Sequence, residues 1–462
     1  MPSSAFESGV FFSFEGSKKN SFRGQALFII NAYLNCYFKY VLTIQINSIT
    51  HLSMRYIHRQ IESVIKPLLD SFSSLAITGP RQSGKSTLLT QTLKNYQYVT
   101  LDDPITRERA VDDPRLFFSS LKDKAIIDEI QNAPELLSYA KMIIDENREK
   151  KGLYVFTGSQ QFHMIKNLGD SLAGRIALLD LMPFSMAEIK TFNDLGTTEE
   201  YFVQSCLTGS YPELVTNNKM DVTTWYGSYI QTYLERDIRS IYNIGSLRDF
   251  QRFMQLLAAR CSQTLNLSEF AIDLGISVPT VKKWISILEA CRIIYLLHPY
   301  YNNLGKRITK SPKIYFLDCG LVCYLTGLKD MDHLIKGPMA GALFENYCIQ
   351  ETLKIYFNNG KQPQLYFLRT NNNLEIDLLI EKSFQKIIPV EFKLNKTPNS
   401  RMADNINRFK KLFSKFDIDQ GWLVSLSEQT FPLNRQTVAI NFADYVQKLS
   451  DHIIPGDAKK NK

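Results

Sequence analysis

Gly79-Pro80-Arg81-Gln82-Ser83-Gly84-Lys85-Ser86 sets two glycines, a lysine and a hydroxyl at the spacing G-x-x-x-x-G-K-[ST], which can hold a polyphosphate. The glycines let the backbone curl so that successive N–H groups point inward at a β-phosphate, and Lys85 reaches the β and γ oxygens. Ser86 would hold Mg²⁺, and Thr87 carries the loop into a helix whose N-terminal dipole faces the phosphates. The string predicts ATP or GTP bound by residues 79 to 87; no guanine-specific N-K-x-D string follows at a suitable place, which favours ATP.

Phosphoryl transfer also needs one carboxylate to organise Mg²⁺ and another to activate water. Ala125-Ile126-Ile127-Asp128-Glu129 offers both: an apolar strand carries Asp128 to its carboxyl end as the metal organiser and leaves Glu129 as general base. A plain acidic surface turn is the alternative. Tyr154-Val155-Phe156-Thr157-Gly158-Ser159-Gln160 reads as a further strand, and Ser159 or Gln160 at its end could sense the γ-phosphate. Arg175 is a candidate arginine finger toward a neighbouring subunit. Arg236 and Arg239 compete for that role, and an arginine beside a strand commonly just pairs with a carboxylate.

A second constellation lies near the C-terminus. In Leu374-Glu375-Ile376-Asp377-Leu378-Leu379-Ile380 and Ile388-Pro389-Val390-Glu391-Phe392-Lys393-Leu394 charges interrupt apolar strands with a period of two, so Asp377, Glu391 and Lys393 share one face. Burying them unpaired would cost several kcal/mol. The trio is either a satisfied internal salt bridge or a site for Mg²⁺ on Asp377 and Glu391, with Lys393 orienting water and Glu345 on the preceding helix as an additional acid.

The elements that must position these groups follow from periodicity. Short apolar runs at 75–77, 96–101, 125–127, 154–157 and 176–181 alternate with helical stretches, which predicts a parallel sheet covered by helices. From 201 to 263 helical spacing dominates, with Trp225, Tyr226, Tyr229, Ile230, Tyr233, Leu234 and Ile238 along one side as a core stripe. Leu267 to Leu274, the turn Gly275-Ile276, and a helix capped by Ser277 and running through Leu288 form a helix-turn-helix. Strands at 293–297 and 313–317 would complete a winged helix, with residues 300–307 as its wing. Lys282, Lys283, Lys306, Arg307 and Lys310 could then meet a DNA backbone, although such modules also serve only for packing.

The resulting domains are an extension at 1–53, an ATPase core at 54–200, a helical connector at 201–263, a winged helix at 264–335, an α+β domain at 336–455 and a tail at 456–462. Ala26 to Ile44 is apolar and aromatic but contains Asn31, Asn35 and Lys39, which are costly at a bilayer centre. A membrane anchor is one reading; the favoured one starts the native chain at Met54, so that residues 1–53 lie outside the fold. The 462-residue chain has a net charge of +8, which suits a polyanionic partner without requiring one. Its 7 cysteines lack zinc-site spacing and read as reduced core thiols of a cytoplasmic protein.

From about 55 to 455 the chain resembles the bacterial and archaeal AAA-type ATPases that join a P-loop core to a C-terminal domain of uncharacterised function. The resemblance rests on Ile77 to Thr87, Leu101-Asp102-Asp103, Asp128-Glu129-Ile130-Gln131, Thr157-Gly158-Ser159, Leu172 to Arg175, Gly209-Ser210-Tyr211-Pro212-Glu213 and Tyr233 to Arg239. It implies an α/β fold of the AAA+ P-loop type that binds ATP with Mg²⁺, with Ser159 in the position of the sensor residue. The D…E-x-K strings resemble PD-(D/E)XK nucleases, which implies a restriction-endonuclease-like C-terminal domain. Expected partners are ATP, DNA through the C-terminal half, other copies of the chain or an unidentified protein, and no membrane.

Overall fold

The computed structural model describes residues 56–158, 172–233, 247–300, 311–370, 372–383 and 386–453. After helix α1 (Glu62–Ser71) come β1 (Ser74–Thr78), α2 (Lys85–Thr92), β2 (Gln97–Thr100), β3 (Ala125–Asp128), α3 (Leu136–Glu146), β4 (Tyr154–Thr157) and β5 (Ile176–Asp180). The five strands pair in parallel in the order β2-β3-β4-β1-β5, as the alternation of strands and helices predicts. Side chains along each strand alternate between two cores. Ala76, Ile127 and Phe156 pack with α3 on one face, and Leu75, Ile77, Ile126 and Val155 pack with α1 and α2 on the other. β4 separates the phosphate-loop strand from the strand that ends in Asp128.

Beyond the sheet, α4 (Met186–Phe192), α5 (Val222–Tyr233) and α6 (Leu247–Ala259) precede α7 (Leu267–Leu274) and α8 (Val278–Ala290). Gly275 ends α7 in the left-handed conformation at φ 67°, and the Ser277 side chain caps α8 by accepting from the Thr280 N–H. β6 (Ile294–Leu297) and β7 (Lys313–Phe316) follow as an antiparallel pair. The helix-turn-helix and its two strands are therefore present. Of the residues read as the wing, 301–307 lie outside the described residues, as does Lys310, whereas Tyr300 is buried and its N–H donates to the Phe367 carbonyl at 2.9 Å.

After α9 (Cys319–Thr326), the long helix α10 (Ala340–Asn358) precedes a seven-stranded mixed sheet. β9 (Glu375–Ser383) pairs antiparallel with both β8 (Leu365–Arg369) and β10 (Lys386–Lys393). β11 (Asp417–Ile418) and β12 (Gly421–Ser425) pair parallel to β10, and β14 (Thr437–Asn441) continues from β12 with β13 (Phe431–Asn434) antiparallel at its edge. α11 (Asp404–Leu412) and α12 (Phe442–Ile453) cover this sheet. One apolar core, which includes Ile57 and residues from Met182 to Ile453, joins the helical connector, the helix-turn-helix segment and the C-terminal sheet. Trp225, Tyr226, Tyr229 and Ile230 belong to it, as the stripe predicts, whereas Leu234 and Ile238 lie outside the described residues.

Among the described residues no helix is long and apolar enough to cross a membrane. The extension at 1–53 and the tail at 456–462 fall outside them. The described cysteines, Cys206, Cys261, Cys291, Cys319, Cys323 and Cys348, are all buried and free.

Candidate functional site

The phosphate loop leaves β1 through Gly79 at φ 143°, where a Cβ would lie 2.1 Å from the Leu181 carbonyl oxygen, so only glycine fits. Gln82 and Gly84 are also at positive φ, and α2 begins at Lys85. The Lys85 ammonium is held 3.1 Å from the Gly79 carbonyl and 2.9 Å from that of Pro80. Burial pushes it down to about 8 despite the nearby carboxylates Glu129 and Asp128.

Behind the loop sits a residue that motif reading does not single out. Arg59 is buried over the Phe184 ring and donates to the Ser83 carbonyl at 3.0 Å, the Met182 carbonyl at 2.6 Å and Glu188 at 3.0 Å. The sequence signal was only an arginine in the basic segment before α1.

Asp128 ends β3 buried, and the Ser86 hydroxyl lies 3.1 and 3.0 Å from its two oxygens. The Tyr98 hydroxyl on β2 donates to Asp128 at 2.6 Å, and the Thr157 hydroxyl donates to it from β4. Burial, together with the bond to Asp128, pushes the Tyr98 phenol up to about 12, so it stays a donor. Neither partner was singled out as a site residue, because the order β2-β3-β4 that brings them to Asp128 is a tertiary fact. The paired oxygens of Ser86 and Asp128 are a hard donor set that fits Mg²⁺.

Glu129 follows at φ 58°, its N–H donating to the Thr157 hydroxyl at 3.1 Å and its carboxylate accepting from the Gln131 amide. Burial raises its pKa and the Lys85 charge pulls it back. Lys85, Ser86 and Glu129 open on one cavity of about 350 Å³, whose remaining wall includes Arg81 and, from α5, Tyr229 and Thr232.

Arg175 lies elsewhere. It precedes β5 at the amino edge of the sheet, the end opposite the phosphate loop, and pairs with Asp145 at 2.6 Å beside a separate cavity of about 420 Å³. It thus makes the ordinary carboxylate pairing and cannot reach the phosphates of its own chain. Ser159, Gln160, Arg236 and Arg239 lie outside the described residues.

The C-terminal trio comes together across β9 and β10. Lys393 Nζ is 2.8 Å from Glu391 and 3.6 Å from Asp377, and Asp377 also accepts from the Phe392 N–H at 3.0 Å. Burial, then the Asp377 charge, pushes the Glu391 carboxyl up to about 8. Burial alone would lower Lys393, but Asp377 and Glu391 hold its pKa above the usual lysine value. Glu345 does not join this trio directly; it accepts from Tyr315 at 2.5 Å and from Lys313 at 3.0 Å. Lys313, anticipated only as a strand residue, sits between the groups, 2.7 Å from Glu375 and 3.8 Å from Asp377. Lys313 and Tyr315 are two apart on β7, and that period-two signal could have placed both on the face toward Glu345.

Residues 71–190 match the family described as AAA domain. These residues carry an AAA-type P-loop fold. Residues 199–332 match a domain of unknown function (DUF8612), and residues 340–445 match another (DUF4143). An uncharacterized protein of Mycobacterium tuberculosis is 26% identical over 366 residues, covering 79% of this chain and 79% of its own length. An uncharacterized protein of Methanocaldococcus jannaschii is 20% identical over 374 residues, covering 74% of this chain and 79% of its own length. Among solved structures, a Walker-type ATPase of Pyrococcus abyssi superposes with a TM-score of 0.40 at 15% identity, covering 58% of this chain and 94% of that one. AMPPCP-bound DnaA from Aquifex aeolicus gives a TM-score of 0.25 at 13% identity, covering 49% and 86%.

Proposed function

We propose that this chain hydrolyses ATP with Mg²⁺ and couples the nucleotide state to DNA through its C-terminal half. The observation that carries the reading is the approach of the Ser86 hydroxyl to both oxygens of Asp128 beside the cavity that Ser86, Lys85 and Glu129 line. Mg²⁺, held by Ser86 and Asp128, would supply charge neutralisation at the phosphates. The loop N–H groups and Lys85 bind and orient the triphosphate, and Glu129 takes the proton from the attacking water. An arginine of a neighbouring copy would complete the site, which makes a homo-oligomer part of the reading.

Coupling is supported by Tyr229 and Thr232. They face the nucleotide cavity from α5, whose aromatic residues belong to the core that continues into the C-terminal sheet. Lys282 and Lys283 are exposed on α8, the second helix of the helix-turn-helix, and would meet DNA phosphates. The test is Mg²⁺-dependent ATP turnover with duplex, single-stranded and branched DNA. Salt-sensitive stimulation by one form supports the reading, and turnover indifferent to all of them replaces it with a nucleotide-dependent switch that holds a protein partner.

A second reading is favoured by the Asp377, Glu391 and Lys393 trio, namely a nuclease-like site in the C-terminal domain. It requires Mg²⁺-dependent cutting that disappears in Asp377→Ala and in Lys393→Ala.

A further inference from the structure

α8 ends in the two hydrogen bonds of a Schellman turn: the Arg292 N–H donates to the Glu289 carbonyl at 3.0 Å, and the Ile293 N–H to that of Leu288 at 2.9 Å. The left-handed position of such a turn usually belongs to glycine, as it does to Gly275 at the end of α7. Here Arg292 occupies it, at φ 57°. Its side chain, 14% exposed, reaches back to the ATPase sheet, lies over the Phe357 ring of α10 at 5.1 Å and pairs with Asp180 at 2.7 Å. Arg292 Nε is buried with no hydrogen-bonding partner among the described residues. A strained backbone and an unmet donor are both retained for one ion pair. Asp180 is the last residue of β5, and what it holds is the entry to the phosphate loop. Its other oxygen accepts from the Thr78 hydroxyl at 2.5 Å. The next residue, Leu181, donates its N–H to the Thr78 carbonyl at 2.8 Å and sets its own carbonyl against Gly79, whose carbonyl accepts from Lys85.

We infer that Arg292 is a positioning residue for the nucleotide: acting through Asp180 and Thr78, it fixes the start of the phosphate loop, so that ATP affinity depends on a side chain of the helix-turn-helix segment. The inference rests on the ATP-binding reading of the site and adds a control on it from outside. Neither Arg292 nor Asp180 lines the nucleotide cavity, so any effect on ATP must pass through the loop. The guanidinium neutralises the buried Asp180 carboxylate and fixes its direction, with one oxygen on Arg292 and the other on Thr78. Without that partner the carboxyl must take up a proton or turn to water, and the bond to Thr78 loses its fixed direction. Thr78 is the last residue before Gly79, so the error enters where the loop begins. Its N–H groups must converge on one phosphate, and a misplacement of about 1 Å is costly there.

The experiment is equilibrium binding of a fluorescent ATP analogue, with Mg²⁺, to the full-length chain, with chemical unfolding followed on the same samples. Arg292→Gly suits the left-handed turn and removes only the side chain. We expect it to weaken binding about tenfold, and Arg292→Lys, which keeps the charge, to weaken it less. Asp180→Asn keeps an acceptor for Thr78 but loses the charge that Arg292 holds, and it should weaken binding to a similar extent. The double variant Arg292→Gly/Asp180→Asn should bind no worse than the weaker of the two single variants, because both changes act on one path. An Arg292→Gly chain that unfolds more readily yet binds the analogue as the wild type does would overturn the inference and leave an ion pair that only joins two segments. Losses that add in the double variant would overturn it too, since Arg292 would then act by a route other than Asp180. Should Arg292→Gly fail to fold, Asp180→Asn decides: weaker binding upholds the inference and unchanged binding overturns it. A folded wild type that binds no analogue overturns the ATP-binding reading itself, and the inference with it.

Discussion

Glu129 carries a side chain at φ 58°, a left-handed conformation that costs about 1–2 kcal/mol outside glycine. The bond from its N–H to Thr157 holds it there, turning the carboxylate toward the Lys85 cavity instead of along the strand. Glu129→Gln keeps that shape but removes the proton acceptor. We expect ATP turnover to fall about 10²–10⁴-fold with ATP affinity retained, which steady-state kinetics beside equilibrium nucleotide binding would show. Tyr98→Phe removes a donor from Asp128 without altering the backbone. Asp128 keeps Ser86 and Thr157, so the expected effect is a modest rise, about threefold to tenfold, in the Mg²⁺ concentration for half-maximal turnover. No change would mean that Tyr98 does not tune Asp128.

At the scale of elements, the phosphate loop is held from both sides. Leu181 at the end of β5 closes on Gly79, and Arg59 holds the Ser83 carbonyl so that the opposite, N–H face of the loop is left for phosphate. The loop glycines are therefore not equivalent. Gly79→Ala would drive a Cβ to 2.1 Å from the Leu181 oxygen, whereas at Gly84 the nearest atom is 3.6 Å away, in Pro212. Chemical unfolding of the apo chain should show a loss of about 3 kcal/mol or more for Gly79→Ala and about 1 kcal/mol, from φ alone, for Gly84→Ala. Equal losses would show that Leu181 yields and that the close contact is not what selects glycine.

At the scale of the whole molecule, α10 is the strut between the two charged centres. Its 19 residues span about 28 Å. Glu345 near its start belongs to the Lys313 cluster. Glu351 farther along accepts from the Met186 N–H at 2.7 Å, and Lys354 donates to the Phe184 carbonyl at 2.8 Å and to Glu351 at 2.8 Å. Asn358 reaches Gln60, the neighbour of Arg59, at 3.0 Å. The Glu351 and Lys354 pair is almost fully buried, so removing one partner strands a charge. Lys354→Met should destabilise the chain by about 3–5 kcal/mol, and Lys354→Met/Glu351→Gln should recover part of that loss. A double-mutant cycle with no coupling would show that the pair does not join α10 to the loop before α4.

The phosphate loop, the acidic strand, the five parallel strands and the charged trio were legible in the sequence because each is a local pattern. Fixed spacing places Lys85 and Ser86, and a period of two places Asp377, Glu391 and Lys393 on one face. What local periodicity does not carry is strand order. Inserting β4 between β1 and β3 is what gives Asp128 and Glu129 their shared partner Thr157, while β2, on the far side of β3, brings Tyr98. The same limit applies to Arg175: its distance along the chain does not reveal that it sits at the opposite end of the sheet from the loop, paired with Asp145. Arg59 and Lys313 escaped because each acts far from its own place in sequence, Arg59 on Glu188 and Lys313 on Glu345, Glu375 and Asp377. The sequence by itself determined which groups can do chemistry and on which face of which element they lie. Only the tertiary structure decided which charges neutralise one another, since pairing depends on distance through a buried, low-dielectric interior and not on separation along the chain.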